Sequence, residues 1–321
     1  MAEQSIKKHS WNIKDAQQAC RDLEQKGRIE ICGEDGAENL SILDKHFFTS
    51  RNDAILHVTQ GNVPFGEDFL TALAGMHNVK YLNLVISFTQ DFSVLAGLSG
   101  LLSIHIRLRT GIKIDFISNY KALESFQAAS YKGDKMGSII SFAPLAACSA
   151  LKTLSLAYLK KVDFSFAKNL RLEKISLEKV TSYQNLNDLF SERLKYLGLG
   201  DIYTFTDLAF LAPCTNIEEV HINRCTGLAS LQGLTPKSLR WFRVQWTKTL
   251  RDLTALYGAD KLEYIVLDTL AGDVDAKSLG AALAAMPVLT QIFISTIGSS
   301  RAKTTLTKIL NEAGKGSFIL G

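Results

Sequence analysis

Apolar and polar positions recur in a fixed six-residue order between residues 151 and 267. In each copy the first, fourth and sixth positions are apolar. The copies are LKTLSL, LEKISL, LKYLGL, IEEVHI, LRWFRV and LEYIVL, which begin at Leu151, Leu172, Leu194, Ile217, Leu239 and Leu262. Successive copies start 21, 22, 23, 22 and 23 residues apart. A regular period of this size predicts a solenoid of stacked repeats.

The alternation of the fourth, fifth and sixth positions is that of a β-strand, which places the fifth side chain on the opposite face. One short strand cannot bury its apolar side alone. Stacking each copy on the next buries a continuous core and pairs the backbones in a parallel sheet. Outside the regular copies, the same pattern predicts strands at Ile55–Val58, Lys80–Leu84, Ser103–Ile106, Ser125–Ala128, Gln291–Ile294 and Ser317–Leu320.

The repeated phrase resembles the leucine-rich repeat family, whose consensus is L-x-x-L-x-L followed by x-x-N/C-x-L. The spacing and connectors such as Asp91–Leu101 and Thr206–Ile217 are similar to those of its short-repeat, internalin-like subclass. The resemblance implies an α/β solenoid of about thirteen rungs, with a curved parallel sheet on its concave face. The family's ninth-position Asn is absent here, and only Cys225 fits the consensus at that position. Apolar side chains are therefore expected to pack most of the turns.

Both ends of a solenoid need a cap that covers the apolar side of the last repeat. A helix over Ile13–Gly27 and a strand over Arg28–Cys32 are predicted to form the N-terminal cap. Helical segments at Ala276–Met286 and Ser300–Ala313 are predicted to close the other end. We expect one domain over 1–321, with an N-terminal cap region at 1–52, repeats at 53–296 and a C-terminal cap at 297–321. The stretch from Tyr131 to Ser138 is predicted to loop out.

Composition excludes several protein classes. Charged residues at 21% and apolar residues at 46% are typical of a folded chain. A net charge of +4 without a clustered basic face argues against nucleic acid. The five cysteines form no C-x-x-C pair, which favours reduced thiols over a disulfide framework or a zinc site. The N-terminus has no apolar signal core, and no apolar run has the length of a membrane span, so we expect a cytoplasmic protein.

Candidate catalytic motifs are few. The segment Ala313–Ser317 contains Gly-Lys-Gly-Ser, but a phosphate loop lies between a strand and the helix after it, whereas this segment follows a predicted helix. His221 and Cys225 could ligate a metal only with a second pair, which the sequence lacks. A sheet of parallel rungs also offers a broad surface instead of a closed pocket. We therefore predict no enzyme activity, no cofactor and no metal.

The phase of the repeat predicts which side chains face away from the core. Leu239, Phe242 and Val244 occupy core positions, so Trp241 must point to the other side. Aromatic residues and arginine are enriched at protein-binding hot spots, and they concentrate in the C-terminal half of the predicted concave face. The predicted partner-binding residues are Tyr196, Glu219, His221, Arg224, Trp241, Arg243, Trp246, Tyr264, Asp268 and Phe293.

The sequence predicts a monomeric protein-protein interaction scaffold that binds a protein partner. A bacterial cytosolic inhibitor, such as a toxin-immunity protein, would suit a repeat protein with no export signal. The alternative is a bacterial effector that is delivered to a host cell and binds a host protein, with the polar segment Met1–Asn12 as its delivery signal. An enzyme and a nucleic-acid binder are disfavoured.

Overall fold

The computed structural model describes residues 4–130, 138–316 and 319–320. Within-chain contacts divide the protein into two compact units. The N-terminal unit comprises Met1–Arg171 with Ser182–Asn185, and the C-terminal unit comprises Leu172–Thr181 with Leu186–Gly321. The predicted division into cap, repeats and cap at residues 52 and 296 stays a prediction.

Short strands recur along the described parts of the chain and are numbered in chain order. They are β1 (Ser5–Lys7), β2 (Arg28–Cys32), β3 (Ile55–Thr59), β4 (Tyr81–Val85), β5 (Ser103–Leu108), β6 (Ser125–Ser130), β7 (Ser138–Ile139), β8 (Thr153–Asp163), β9 (Lys174–Val180), β10 (Tyr183–Gln184), β11 (Tyr196–Gly200), β12 (Glu219–Asn223), β13 (Trp241–Gln245), β14 (Tyr264–Asp268), β15 (Gln291–Ile294) and β16 (Ile319–Leu320).

Each unit contains a parallel sheet whose strands follow one another in chain order. In the N-terminal unit the order is β1-β2-β3-β4-β5-β6-β8, and β7 and β10 pair with β8. In the C-terminal unit the order is β9-β11-β12-β13-β14-β15-β16. Equivalent positions of neighbouring repeats lie side by side: Leu197 pairs with Val220, and Val220 with Phe242. This register is the one that the repeat predicts.

The helices lie near the two ends of the sequence. They are α1 (Ile13–Asp22), α2 (Ala37–Leu43), α3 (Glu67–Ala74), α4 (Ala276–Ala285) and α5 (Ser300–Glu312). The Asn12 side chain caps α1 by accepting a hydrogen bond from the N–H of Asp15. The helix ends earlier than predicted, because the backbone turns extended at Leu23. Between most of the other strands, short 3₁₀ turns take the place of helices.

The fourth and sixth repeat positions form the core of the C-terminal unit. Ile175, Leu197, Val220, Phe242 and Ile265 are all fully buried. The ninth position is buried too, as expected from its apolar residues. The members of this set are Leu159, Val180, Ile202, Cys225, Thr247 and Leu270. Thr247 is polar, and its hydroxyl donates to the carbonyl of Gln245 at 3.1 Å.

The eighth repeat position adopts a left-handed backbone conformation in six successive repeats. Its φ angles lie between 50° and 58°. The residues are Tyr158, Lys179, Asp201, Arg224, Trp246 and Thr269. A left-handed conformation costs a residue with a Cβ roughly 1–2 kcal/mol, and β-branched residues suffer most. The eighth position therefore stores strain that burial of the ninth side chain offsets.

A polar residue six positions after the left-handed residue starts the next turn. Asp207 and Asp252 accept hydrogen bonds from the N–H groups two residues further along, at 2.9 and 3.0 Å. The Ser230 hydroxyl likewise accepts a hydrogen bond from the N–H of Gln232, at 3.0 Å. Hydrogen bonds from Ser230 and Thr254 also hold the pKa of Asp252 below its ordinary value. These side chains form hydrogen bonds with backbone N–H groups, which in a helix would bond to backbone carbonyl groups instead.

Some predicted elements differ from the structure. The sequence predicts no strand in the polar segment Met1–Asn12, but Ser5–Lys7 forms β1, because its backbone can pair with the edge of β2. The helices α2 and α3 were not predicted. Residues 131–137 of the predicted surface loop lie outside the described residues. Residues 317 and 318 also lie outside them, so only Ile319–Leu320 of the predicted closing strand is seen.

The phase of β13 can be tested with two adjacent aromatic residues. Phe242 is fully buried, whereas 44% of Trp241 is exposed. Replacing Phe242 by Ala should lower the free energy of unfolding by about 3–5 kcal/mol, because it leaves a cavity. Trp241→Ala should cost about 1 kcal/mol or less, since it removes mainly surface contacts. Urea denaturation followed by circular dichroism measures both, and equal losses would contradict the assigned phase.

The strain at the eighth position predicts a stabilising substitution. Thr269 is β-branched and has φ 54°, a conformation that Asn adopts more easily. Thr269→Asn should raise the free energy of unfolding by about 0.5–1 kcal/mol. The control is Thr304→Asn on the exposed side of α5, where the backbone is helical and no strain is relieved. A thermal melt that shows the same change for both variants would rule out the strain.

Candidate functional site

Three rows of side chains cover the face of the C-terminal sheet that is opposite its core, which we call the open face. Each row contains equivalent positions of neighbouring strands. The first row is Lys174, Tyr196, Glu219, Trp241, Tyr264 and Gln291; the second is Ser176, Gly198, His221, Arg243, Val266 and Phe293; and the third is Glu178, Gly200, Asn223, Gln245 and Asp268. Seven of the predicted partner-binding residues lie in the first two rows, and Asp268 lies in the third.

An aromatic pair forms the most apolar part of the open face. The rings of Trp241 and Tyr264 lie 5.0 Å apart between centroids, at an interplanar angle of 31°. Both residues begin their strands, and the next residues, Phe242 and Ile265, are fully buried. The core therefore fixes the backbone beneath two aromatic side chains that remain accessible. Such rings bury a large area with few rotatable bonds.

A polar cluster adjoins this pair. His221 Nε2 lies 2.9 Å from a carboxylate oxygen of Glu219, and the Tyr196 ring meets the His221 ring edge-on at 5.5 Å. Burial lowers the pKa of His221, the charge of Glu219 partly offsets this, and Arg243 lowers the pKa further. His221 is therefore mainly uncharged at neutral pH and donates a hydrogen bond to Glu219.

Arg243 occupies the centre of the second row. Its Nε donates to the side-chain oxygen of Gln245 at 2.8 Å, which fixes the direction of the guanidinium group. Among the described residues, no carboxylate lies within salt-bridge distance of it. Its row neighbour Val266 is only 3% exposed, although it points away from the core. Side chains therefore pack against one another across this part of the open face.

Two predicted site residues lie at the edge of the sheet and not within the three rows. Arg224 and Trp246 occupy left-handed eighth positions, directly after β12 and β13. The guanidinium carbon of Arg224 lies 5.7 Å from the centroid of the Trp246 ring, a cation–π distance. The left-handed turn changes the direction of the chain after each strand. The alternation of side chains along a strand therefore does not predict where these two residues lie.

Two further residues at this edge are not among the predicted site residues. Asp201 accepts from Nε of Arg224 at 3.2 Å, and the Tyr203 hydroxyl lies 3.3 Å from the same carboxylate oxygen. Tyr203 is 55% exposed and extends the aromatic surface beyond the rows. The signal available in the sequence was the repeat itself, because Asp201 and Arg224 hold the same eighth position in adjacent repeats.

A shallow depression of about 340 Å³ lies beside the polar cluster on the open face. Gly198 and Gly200 form part of its floor, and Ser176, His221 and Arg243 line it. A side chain at position 198 would fill the depression, since a Cβ there would come within 3.1 Å of the Tyr196 hydroxyl. The open face thus offers an accessible aromatic pair with a small polar hollow next to it.

The described residues contain few groups suited to covalent or metal chemistry. No three His, Cys, Asp or Glu side chains among them come close enough to hold a metal ion. Burial raises the pKa of Cys148, Cys214 and Cys225 to about 11, so these thiols are protonated at neutral pH and are weak nucleophiles. No helix in the described ranges combines the length and apolar character that crossing a membrane requires.

No protein-family model and no curated protein matches the chain. Among solved structures, an internalin (inlF) from Listeria monocytogenes is 20% identical and covers 88% of this chain and 76% of its own, with a TM-score of 0.59. An internalin C2 from the same species is 13% identical, with coverage of 73% and 84% and a TM-score of 0.32. A leucine-rich repeat protein from Leptospira interrogans is 11% identical, with coverage of 96% and 98% and a TM-score of 0.29.

The similarity to the first internalin agrees with the repeat period and with the register of parallel strands in each unit. At this level of identity the similarity concerns the fold. The chain folds as a leucine-rich repeat solenoid of the short-repeat, internalin-like type.

Proposed function

We propose that the chain is a non-enzymatic scaffold that binds a protein partner through the open face of its C-terminal unit. The observation that carries this proposal is the Trp241–Tyr264 pair, an exposed aromatic surface on a strand-paired backbone. Tryptophan and tyrosine are the residues that most often dominate binding energy at protein interfaces. Single exposed apolar residues are common on protein surfaces, whereas neighbouring ones that form a patch mark interaction sites.

The backbone beneath the aromatic pair is already ordered. Hydrogen bonds join β13 to β12 on one side and to β14 on the other. A partner therefore meets side chains whose main chain loses little conformational entropy on binding. Preorganisation of this kind increases affinity, because less of the contact energy is spent on ordering the site.

Charged groups of both signs surround the aromatic pair. Arg243 supplies a positive charge in the second row, and Glu219 and Asp268 supply negative charges in the first and third rows. Such a mixed arrangement orients a partner with complementary charges and discriminates against others. The carboxylates on this face would repel phosphate groups, which supports a protein partner over nucleic acid.

Small residues beside the Trp241–Tyr264 pair allow a partner to approach the sheet closely. The depression at Gly198 and Gly200 could receive one side chain of the partner while Trp241 is covered by another. Interfaces of this design concentrate their energy in a few central contacts and exclude water around them. The depression is too open to enclose a substrate, which supports binding over catalysis.

The proposal predicts that one double substitution abolishes partner capture. The wild-type chain and a Trp241→Ala/Tyr264→Ala variant would be immobilised and exposed to lysate of the source organism, and retained proteins identified by quantitative mass spectrometry. We expect at least one protein to be retained by the wild type and lost by the variant. With that partner purified, its Kd should rise by roughly 30-fold or more, the effect of removing a hot spot of about 2 kcal/mol.

The matched control is Val288→Ala, which removes an exposed apolar side chain from the turn before β15 and outside the three rows. It should capture the partner as the wild type does, and circular dichroism should show that all variants are folded. Equal capture by the double variant would refute the open face as the binding site. A toxin of the same cell as the partner would indicate an inhibitor, and a host protein would indicate an effector.

A further inference from the structure

The N-terminal unit has a pocket on the face of its sheet that is opposite its own core. Its volume is about 350 Å³. Four polar residues lie side by side across β3, β4, β5 and β6 in one row of the strand register. These residues are His57, Asn83, His105 and Gln127, and all four line the pocket together with Arg28 and Arg107.

The pocket is positively charged. Burial lowers the pKa of His57 most, and Arg28 and Arg107 lower it further, so the charges of both arginines act on the same place. None of the residues that line the pocket is acidic. Glu30 on β2 is the neighbour of His57 in the same row, and its carboxylate lies 3.2 Å from Nε of Arg28. Arg107 is exposed and makes no salt bridge within the described ranges. One positive charge is therefore uncompensated.

The polar row also has hydrogen-bonding groups without protein partners. His57 Nδ1 is buried and has no hydrogen-bond partner. Across residues 4–130, 138–316 and 319–320, the side chains of Asn83, His105 and Gln127 form no hydrogen bond. A buried polar group without a partner costs about 1–3 kcal/mol, and each such group in a native structure calls for an explanation. An acceptor-rich ligand in the pocket would supply the missing partners.

We propose that this pocket binds an oxyanion, the phosphate or carboxylate group of a small ligand. Arginine side chains bind both groups with paired N–H donors, and the amides of Asn83 and Gln127 can donate to the remaining oxygens. Tyr81, which also lines the pocket, provides a ring beside the polar row. The proposal does not depend on the protein-binding function, because its residues belong to the other unit.

The histidines provide a built-in reporter of binding. Burial lowers the pKa of His57 and of His105, and the charge of Arg107 contributes at both. Glu30 acts in the opposite direction at His57, and His57 further lowers the pKa of His105. A bound oxyanion adds negative charge next to both rings, which favours the protonated form. The pKa of both residues should therefore rise when the site is occupied.

The test is an NMR titration of the histidine rings in the full chain, with inorganic pyrophosphate and succinate as separate probes. Sodium chloride at matched ionic strength serves as the reference. We expect at least one probe to produce saturable shifts at His57 and His105 and to raise their pKa, with His77 and His221 unaffected. Binding of pyrophosphate alone identifies a phosphate site, and binding of succinate alone identifies a carboxylate site.

Arg107→Gln should weaken binding of the active probe at least about tenfold, because a charge-assisted hydrogen bond is lost. Arg193→Gln removes an exposed arginine from the C-terminal unit and should leave the Kd unchanged. Circular dichroism establishes that both variants fold. The proposal is overturned if neither probe gives saturable shifts at His57 and His105, if sodium chloride reproduces the shifts, or if Arg107→Gln binds as tightly as the wild type.

Discussion

The structure depends on one constraint: each strand must place its fourth and sixth residues directly beside those of its neighbours. In β12 and β13 this puts Val220 against Phe242 and Ile222 against Val244, and all four are buried. A shift of one residue would move these side chains to the solvent and bring Trp241 into the core. Burial of the core rows thus determines what the open face presents, although the side chains of that face point away from the core.

The same constraint explains why six successive repeats tolerate strain at their eighth position. A left-handed eighth residue turns the backbone so that the ninth side chain enters the core. The family's Asn would bond backbone groups at the ninth position, whereas this chain buries apolar residues such as Val180 and Ile202 there. Hydrophobic burial then replaces hydrogen bonds inside the turn, and Asp207, Ser230 and Asp252 satisfy the backbone at the next corner. Arg224 and Trp246 owe their edge positions to this arrangement.

Much of the fold could be predicted from the sequence because the same strand pattern occurs in several repeats. The strand β2 has the predicted bounds, and Trp241 points away from the core as its phase requires. The helix α2 and the strand β1 could not be predicted so well, since each is short and occurs once. β1 consists of only three residues, and its stability comes from backbone pairing with β2. Because backbone pairing requires no particular pattern of side chains, the sequence gives little sign of it.

The candidate sites, too, could be predicted only in part from the sequence. Periodicity predicts which residues share a face, but contacts between rows need side-chain geometry. The bond between Asp201 and Arg224 depends on two left-handed turns, and the charge near His57 depends on Arg28 and Arg107, which are 79 positions apart in the sequence.

In the C-terminal unit, acidic residues balance arginines around an aromatic pair, which suits a large and partly apolar partner. In the N-terminal unit the corresponding face is polar, positively charged and poor in internal hydrogen bonds, which suits a small anion. One repeated strand pattern therefore supports two chemically different surfaces, because the core rows fix the backbone and leave the opposite rows free to vary.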